Sequence, residues 1–407
     1  MQTLLSKVKG DKVIWMIVLI LSVVSLLAVY SSISSLALKA GGNSFKFLLK
    51  HGVMLAMGFG LIYVIHNIPS KYFSKLSQLF IWVAAIMLLL TLIVGIEVNE
   101  AKRWLRIPGL ALTFQTSDFA KVVLIVYVAR MLNVKRTQLH DFKNGVLPIL
   151  AWIGVICALI LPADFSTAAM LGFICFVMLM VGGVPFKHLL KVMGIIAGAL
   201  GIIYLLGTTN GETFPRFGTW KQRIDTFFNT GEGDSDPSET YQIDRAQFAI
   251  YDGGLFPAGA GSGSARNFLP HPYSDMIFAF IIQEYGSIFG AIGLVFLYII
   301  LMYRCVKMAN KSPSHFGGLA VVGLGFMMVF QAMINMGVAV NILPTTGQPL
   351  PMVSMGGTSI LFTALALGII LSISRLVYNS EENEEGEENT VKGNHLNTPK
   401  EPEHGIA

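Results

Sequence analysis

Apolar runs of about 18 residues or more recur along this chain from Val13 to Val377, each long enough to cross the hydrocarbon of a bilayer. In lipid a backbone must satisfy its own N–H and C=O groups, so such runs have to be helices packed against one another. Only 13% of the 407 residues are charged, against about 25% in an average soluble domain, and 54% are hydrophobic. The fold class expected is an all-α polytopic membrane protein. Ten spans are predicted, over 13–36, 47–66, 77–97, 114–132, 145–162, 166–182, 186–207, 274–303, 315–340 and 357–377. The first is too long for a signal-peptide core and lacks an A-x-A cleavage site, so it is expected to stay.

Orientation follows from Lys and Arg in short loops. With the N-terminus (1–12) inside, the cytoplasmic side collects Lys7, Lys9, Lys71, Lys75, Lys135, Arg136, Lys187, Lys191, Arg304 and Lys307, among others. The other side holds fewer, chiefly Lys102, Arg103, Arg106 and Lys121. Both termini are then cytoplasmic, and the large loop 208–273 between the seventh and eighth spans faces outward. The acidic tail (378–407), with "EENEEGEEN" and almost no large apolar residue after Ser380, is expected to be disordered.

The net charge of +5 reflects this topology and gives no argument for nucleic acid. Cys157, Cys175 and Cys305 lie in or at the ends of spans, with neither a disulfide framework nor metal-ligand spacing. No internal repeat suggests an inverted-repeat transporter. In the outer loop "GTWKQRIDTFFNT" puts Trp220, Ile224, Phe227 and Phe228 on one helical face, with Lys221 and Arg223 elsewhere, as in a helix lying in the interface. "GEGDSDPSET" after it is expected to be mobile.

Several stretches interrupt the apolar pattern. In "NEAKRWLRIPG", Lys102, Arg103 and Arg106 flank Trp104 on the outer side, suited either to interfacial anchoring or to an anionic headgroup. In "FQTSDFAKVV", Thr116 or Ser117 is expected to cap the fourth span. Asp118 and Lys121 share a helix face there, either pairing with each other or leaving Lys121 to meet a substrate diphosphate. Asp164 in "LPADFSTAAM" reads as a cap for the sixth span. "YQIDRAQFAIYDGGLFPAGAGSGSARNFLP" is Gly-rich but matches no nucleotide fingerprint, and flexible backbone is expected. Asp275, at the start of the eighth span beside Ser274, reads alone as a cap. Glu284 lies deeper, where a carboxylate needs a hydrogen-bonding neighbour or a proton. "NMGVAVNILPTTGQPLPMVSMGGTSILF" carries Pro and Gly at membrane depth, so it should be broken backbone covered by protein or a cavity, a re-entrant structural wall rather than an ion-conducting ring.

Together these segments resemble the SEDS family (shape, elongation, division and sporulation) of polytopic peptidoglycan glycosyltransferases. The resemblance spans almost all of 13–377. It rests on "AKRWLRIPG", "FQTSDFAK", "GGLFPAGAGSGSARNFLPHPYSDMIFAFIIQEYG" and "NMGVAVNILPTTGQPLPMVSMGGTSIL" in that order. The first two look more like the division-type FtsW branch than the elongation-type RodA branch. Departures exist. Gln115, Thr116, Ser117 and Asp118 stand where Q-P-S-E is common. His271, Pro272, Tyr273, Ser274 and Asp275 stand where an E-A-H-T-D-like run is common. Pro257 replaces a usual Gly, and Met355 a usual Tyr.

The resemblance implies polymerisation of lipid II at the outer face of the cytoplasmic membrane, at the division septum. Asp275 would be the catalytic base. Lys121, Arg103, Trp104, Arg106, Asp118 and Gln115 would contact substrate, with Glu284, Asp164 and Ser274 in support. No protein metal site is implied, although a divalent cation, Mg²⁺ or Mn²⁺, could assist the diphosphate. Expected partners are a class B penicillin-binding transpeptidase and other divisome proteins. The rival readings are a lipid II flippase, an elongation-type polymerase and a noncatalytic scaffold.

Overall fold

The computed structural model describes residues 10–32, 44–98, 101–106, 113–209, 217–228, 237–264 and 274–396. The expected cytoplasmic N-terminus as far as residue 9, the expected mobile stretch through residue 236, and the run His271, Pro272, Tyr273 lie outside the described residues.

The described chain is mostly helical. In order come α1 (Lys12–Ser32), α2 (Ser44–His66), α3 (Ser70–Val94), strands β1 (Ile96–Val98), β2 (Ala101–Arg106) and β3 (Thr113–Gln115), then α4 (Thr116–Val134). A π-helical turn, Phe142–Val146, leads into α5 (Leu147–Ile160), followed by α6 (Phe165–Val181) and α7 (Phe186–Thr209). Then come α8 (Phe217–Phe228), α9 (Pro237–Asp252), α10 (Ile277–Tyr285), a second π-turn, Gly286–Ile292, α11 (Gly293–Lys311), α12 (His315–Ala339) and α13 (Ser359–Leu396).

Among the described residues seven helical stretches are long and apolar enough to cross a membrane. They are α1, α3, α12, most of α2, the first half of α13, the first π-turn with α5, and the stretch from α10 through α11, which is interrupted at Gly286 (φ 72°). Of the rest, α4 carries Asp118, Lys121 and Arg130, and α6 is only 17 residues long. Yet α4 is buried almost all round, the mark of a core helix rather than a surface one. The apolar stretches of α12 and α13 are 72% and 67% buried, against 28% for α2 and α3. The bundle is therefore built around α4, α12 and α13, and the outer helices turn residues such as Met16, Leu79 and Phe296 outward.

Four expectations need correction. The fold is not purely helical: 96–115 holds a three-stranded antiparallel sheet in the order β1-β2-β3. Val98, Trp104 and Thr113 favour extended backbone, and Glu97 faces Lys102 across the ladder. The third span begins at Ser70 rather than 77, because hydropathy discounts Lys71 and Lys75 although Pro69 already starts the helix. Residues 237–252, expected partly mobile and partly flexible, form α9. Its Ile243, Ala246 and Ala249 recur every third residue as a buried stripe. Finally, α13 runs on to Leu396 where disorder was expected. Glutamate is a good helix former, and extending an existing helix avoids the cost of nucleation.

Where α1 begins, a buried clasp ties three helices. Asp11 Oδ1 accepts from Val13 N at 2.8 Å, capping α1, while Oδ2 accepts from Arg304 Nε at 2.6 Å. Arg304 also donates to the Tyr378 hydroxyl at 2.8 Å, and Asp11 N donates to Ser374 Oγ at 2.7 Å. Gly10 is required beside it. Its φ is +100°, and a Cβ would lie 2.7 Å from Ser374 Oγ.

Candidate active site

Strand alternation decides which basic residue turns inward. On β2, Lys102 and Arg106 are exposed, while Arg103, on the opposite face, reaches the turn before α6. Its Nε donates to Ala163 O at 2.9 Å, and its Nη1 lies 3.3 Å from Asp164 Oδ2. Asp164 is the N-cap of α6, accepting from Thr167 N at 3.0 Å. Trp104 is half-buried and pairs in register with Gln115, and Arg106 pairs with Thr113 at the sheet's outer edge.

Arg103 and Asp164 stand at the rim of a cavity of about 440 Å³. Phe173, Phe330 and Ile334 form its apolar wall between α6 and α12, Trp220 and Arg223 of α8 cover one side, and Leu343–Thr346 close another. Phe165 and Trp220 pack with ring centroids 4.9 Å apart, and Arg223 Nη1 donates to Thr345 O at 3.2 Å. The broken segment 340–358 thus lines the cavity at Leu343–Thr346. It takes left-handed backbone even at Asn341 (φ 56°) and Met352 (φ 62°).

That segment is suspended by side chains. Gln331 Nε2 donates to Pro349 O at 2.8 Å, Asn335 Nδ2 to Gln348 O at 2.8 Å, and the Tyr298 hydroxyl to Pro351 O at 2.6 Å. Ser25 Oγ donates to Val353 O at 2.7 Å and also bonds His51 Nε2 at 2.8 Å. Gln348 Nε2 in turn donates to Thr167 Oγ1 at 2.7 Å, joining the segment to the start of α6.

The same scaffold holds the turn carrying Asp275. Asn335 Nδ2 donates to Asp275 O at 2.7 Å, and Ser354 Oγ donates to Ser274 O at 2.6 Å. Asp275 is partly exposed and is not the N-cap; that residue is Met276, and α10 begins at Ile277. The carboxyl group is thus set two residues ahead of the first helical residue, on a turn whose carbonyls are fastened to α12 and to the 340–358 segment.

Neither Asp275 nor Lys121 is among the residues that line the cavity. Lys121 is 4% exposed, within 2.8 Å of Asp118 Oδ1 and 3.3 Å of Gln331 Oε1. Nor is α4 capped by Thr116 or Ser117. The N-cap is Gln115, because the Thr116 hydroxyl is engaged with Thr91 Oγ1 at 2.9 Å and Ser117 Oγ accepts from Gln115 Nε2.

A scan against protein-family models matches residues 11–379 to the FtsW/RodA/SpoVE family, described as cell cycle protein. This chain belongs to that family. Among curated relatives, a probable peptidoglycan glycosyltransferase FtsW of Geobacter sulfurreducens is 31% identical over 369 residues, covering 89% of this chain and 95% of the relative. The FtsW of Hydrogenovibrio crunogenus is 32% identical, over 87% and 88% of the two chains. Stage V sporulation protein E of Bacillus subtilis is 29% identical, over 91% and 98%. Among solved structures, a chain of a peptidoglycan synthase complex superposes with a TM-score of 0.70, and the rod shape determining protein RodA of Thermus thermophilus with 0.63. Each is 24% identical and covers 91% of this chain and 98% of its own, a likeness of fold.

Within this family fold, Glu284 serves the Gly-rich loop. It is fully buried, accepts from the Ser31 hydroxyl of α1, and accepts from Gly261 N at 2.8 Å; its carbonyl accepts from Gly259 N at 3.0 Å. Gly253 lets the same loop approach, since a Cβ there would sit 2.3 Å from Ile282 O. Sequence reading overlooked Gln331 and Asn335 as scaffold residues, although two amides one turn apart in an otherwise apolar helix were a visible signal. Arg223 was read as an interfacial charge, and nothing local indicates that it meets Thr345.

Proposed function

We propose that this chain is a peptidoglycan glycosyltransferase that polymerises lipid II at the outer face of the cytoplasmic membrane, in septal synthesis during division. The observation that carries this reading is the cavity between α6 and α12. It is apolar along the helices and holds Arg103 and Arg223 at its margin, a form suited to a lipid bearing an anionic head. The FtsW relatives are named for this glycosyl transfer, and their names favour the septal over the elongation role.

In the reaction, an acceptor sugar 4-hydroxyl attacks the anomeric carbon of the donor. The new C–O bond forms as the bond to the diphosphate breaks, and undecaprenyl diphosphate leaves with the electron pair. Asp275 takes the hydroxyl proton, a role typically worth about 10²–10⁴-fold. Arg103 and Arg223 meet the negative charge gathering on phosphate oxygens, to which a planar guanidinium presents matched donors. The donor arrives already activated, so no nucleotide is needed outside the cell. Among the described residues no three His, Cys, Asp or Glu side chains gather as metal ligands, and Asp164 is engaged by Arg103. A divalent cation would have to be held mainly by the diphosphate itself, and no step is assigned to it.

We read α4, α6 and α7 as further crossings, making ten, with both termini cytoplasmic and the loop bearing α8 and α9 outside. A class B penicillin-binding transpeptidase is the expected partner, in keeping with the synthase complex that shares the fold. The test is lipid II polymerisation by the purified complex. Asp275→Asn should abolish glycan synthesis while folding and partner binding persist. Normal polymerisation by that variant rejects the base, and translocation of labelled lipid II without product would favour a flippase.

A further inference from the structure

The residue matched to a substrate contact by family resemblance, Lys121, does not line the cavity. It is 4% exposed, salt-bridged to Asp118 within α4, and directed at the Gln331 side chain of α12. Gln331 is a two-ended link. Its carbonyl oxygen accepts from Lys121 Nζ at 3.3 Å, and its amide nitrogen donates to Pro349 O at 2.8 Å. The charge-assisted bond at one end therefore orients the amide, so that the N–H rather than the oxygen meets the Pro349 carbonyl. One turn along α12, Asn335 holds both Gln348 O and Asp275 O. Ser354 completes the frame by holding Ser274 O while it accepts from Leu350 N at 2.8 Å. A single run of polar contacts thus leads from Asp118 through Lys121, Gln331 and the 348–354 segment to the backbone on either side of the Asp275 α-carbon.

We infer that Lys121 acts as a positioning residue, fixing through Gln331 the 348–354 segment on which the Asp275 turn is hung, and not as a cation that touches the departing diphosphate. The inference rests on the reading of Asp275 as the base. It gives the buried pair a task. A lysine that met substrate would have to be wet or reachable from the cavity. A lysine that sets an amide's orientation works best dry, where the amide has no water to bond instead.

The decisive variant is Gln331→Met in the purified complex, because it leaves the Asp118–Lys121 pair intact and keeps the volume of the side chain. Lipid II turnover should fall on the order of ten- to a hundredfold in kcat, as expected for a misplaced reacting group, with KM within about twofold. Hydrogen exchange of 348–354 and of 274–276 should rise together in the same variant. Gln331→Glu, which can still pair with Lys121 but cannot donate to Pro349 when ionised, should behave alike. A rise in KM with kcat unchanged in Lys121→Met would assign Lys121 to substrate binding and overturn the inference. So would unchanged exchange in Gln331→Met, whatever its activity. An active Asp275→Asn removes the base assignment instead, and the exchange result then still decides whether Lys121 and Gln331 hold this segment.

Discussion

Two acid–arginine pairs in this molecule do the same local job with different endings. Asp11 caps α1 and binds Arg304; Asp164 caps α6 and binds Arg103. At the start of α1 the acid is fully buried, and Arg304 divides its donors between Asp11 and Tyr378, so the charges close on each other. At the start of α6 the contact is longer, 3.3 Å, and Arg103 keeps a quarter of its side chain exposed beside an apolar cavity. A closed pair holds helices together. An open one retains the capacity to bind an anion, because part of the guanidinium is not yet committed.

If that contrast holds, substitutions at the candidate site should change turnover and those at the Asp11–Arg304 clasp only stability. The largest effect belongs to Asp275→Asn, with kcat reduced by about 10²–10⁴-fold and the melting midpoint unchanged. Next comes Arg304→Ala. It strands Asp11 without its counter-charge and should cost about 3–5 kcal/mol of stability, while the folded fraction polymerises at the normal rate. A selective loss of kcat in that variant would erase the distinction between the two ends. Arg223→Ala should raise KM for lipid II about tenfold, the worth of one hydrogen bond to a charged group, with little change in melting. Unchanged KM would confine phosphate binding to Arg103.

The smallest effect is expected at Asp141, which caps the π-helical turn before α5. Its carboxyl is held below the usual carboxylate range by the Asn144 side chain first, and by the Lys143 backbone N–H next. A depressed pKa stabilises the fold above the unfolded value and loses that contribution as pH falls through the folded one. The small difference in melting midpoint between Asp141→Asn and the parent should therefore be present at pH 7 and be lost in acid, once the pH has fallen below the ordinary carboxylate range, measured by paired thermal scans.

Much of this was legible beforehand. The helices lie close to the segments read from hydropathy, because a long apolar run has only one way to satisfy its backbone in lipid. Asp164 was correctly read as a cap, since an acid one position before a helix has a local task. The sheet at 96–115 was missed because short strands bend apolar and charged residues into a pattern that hydropathy averages away. Capping by Asp275 was a fair expectation for an acid before a helix, but the tertiary frame moved the helix start to Ile277.

What the chain determined by itself was periodic and local: which stretches are helices, which way the charges bias the bundle, and which acids stand at helix starts. What only the tertiary structure decided was partnership across long separations. Lys121 meets Gln331 across 210 residues, Gln348 meets Thr167 across 181, and Arg223 meets Thr345 across 122. No period encodes such pairs. A buried amide or ammonium must find a partner wherever packing brings one within reach, and only the assembled bundle specifies which partner that is.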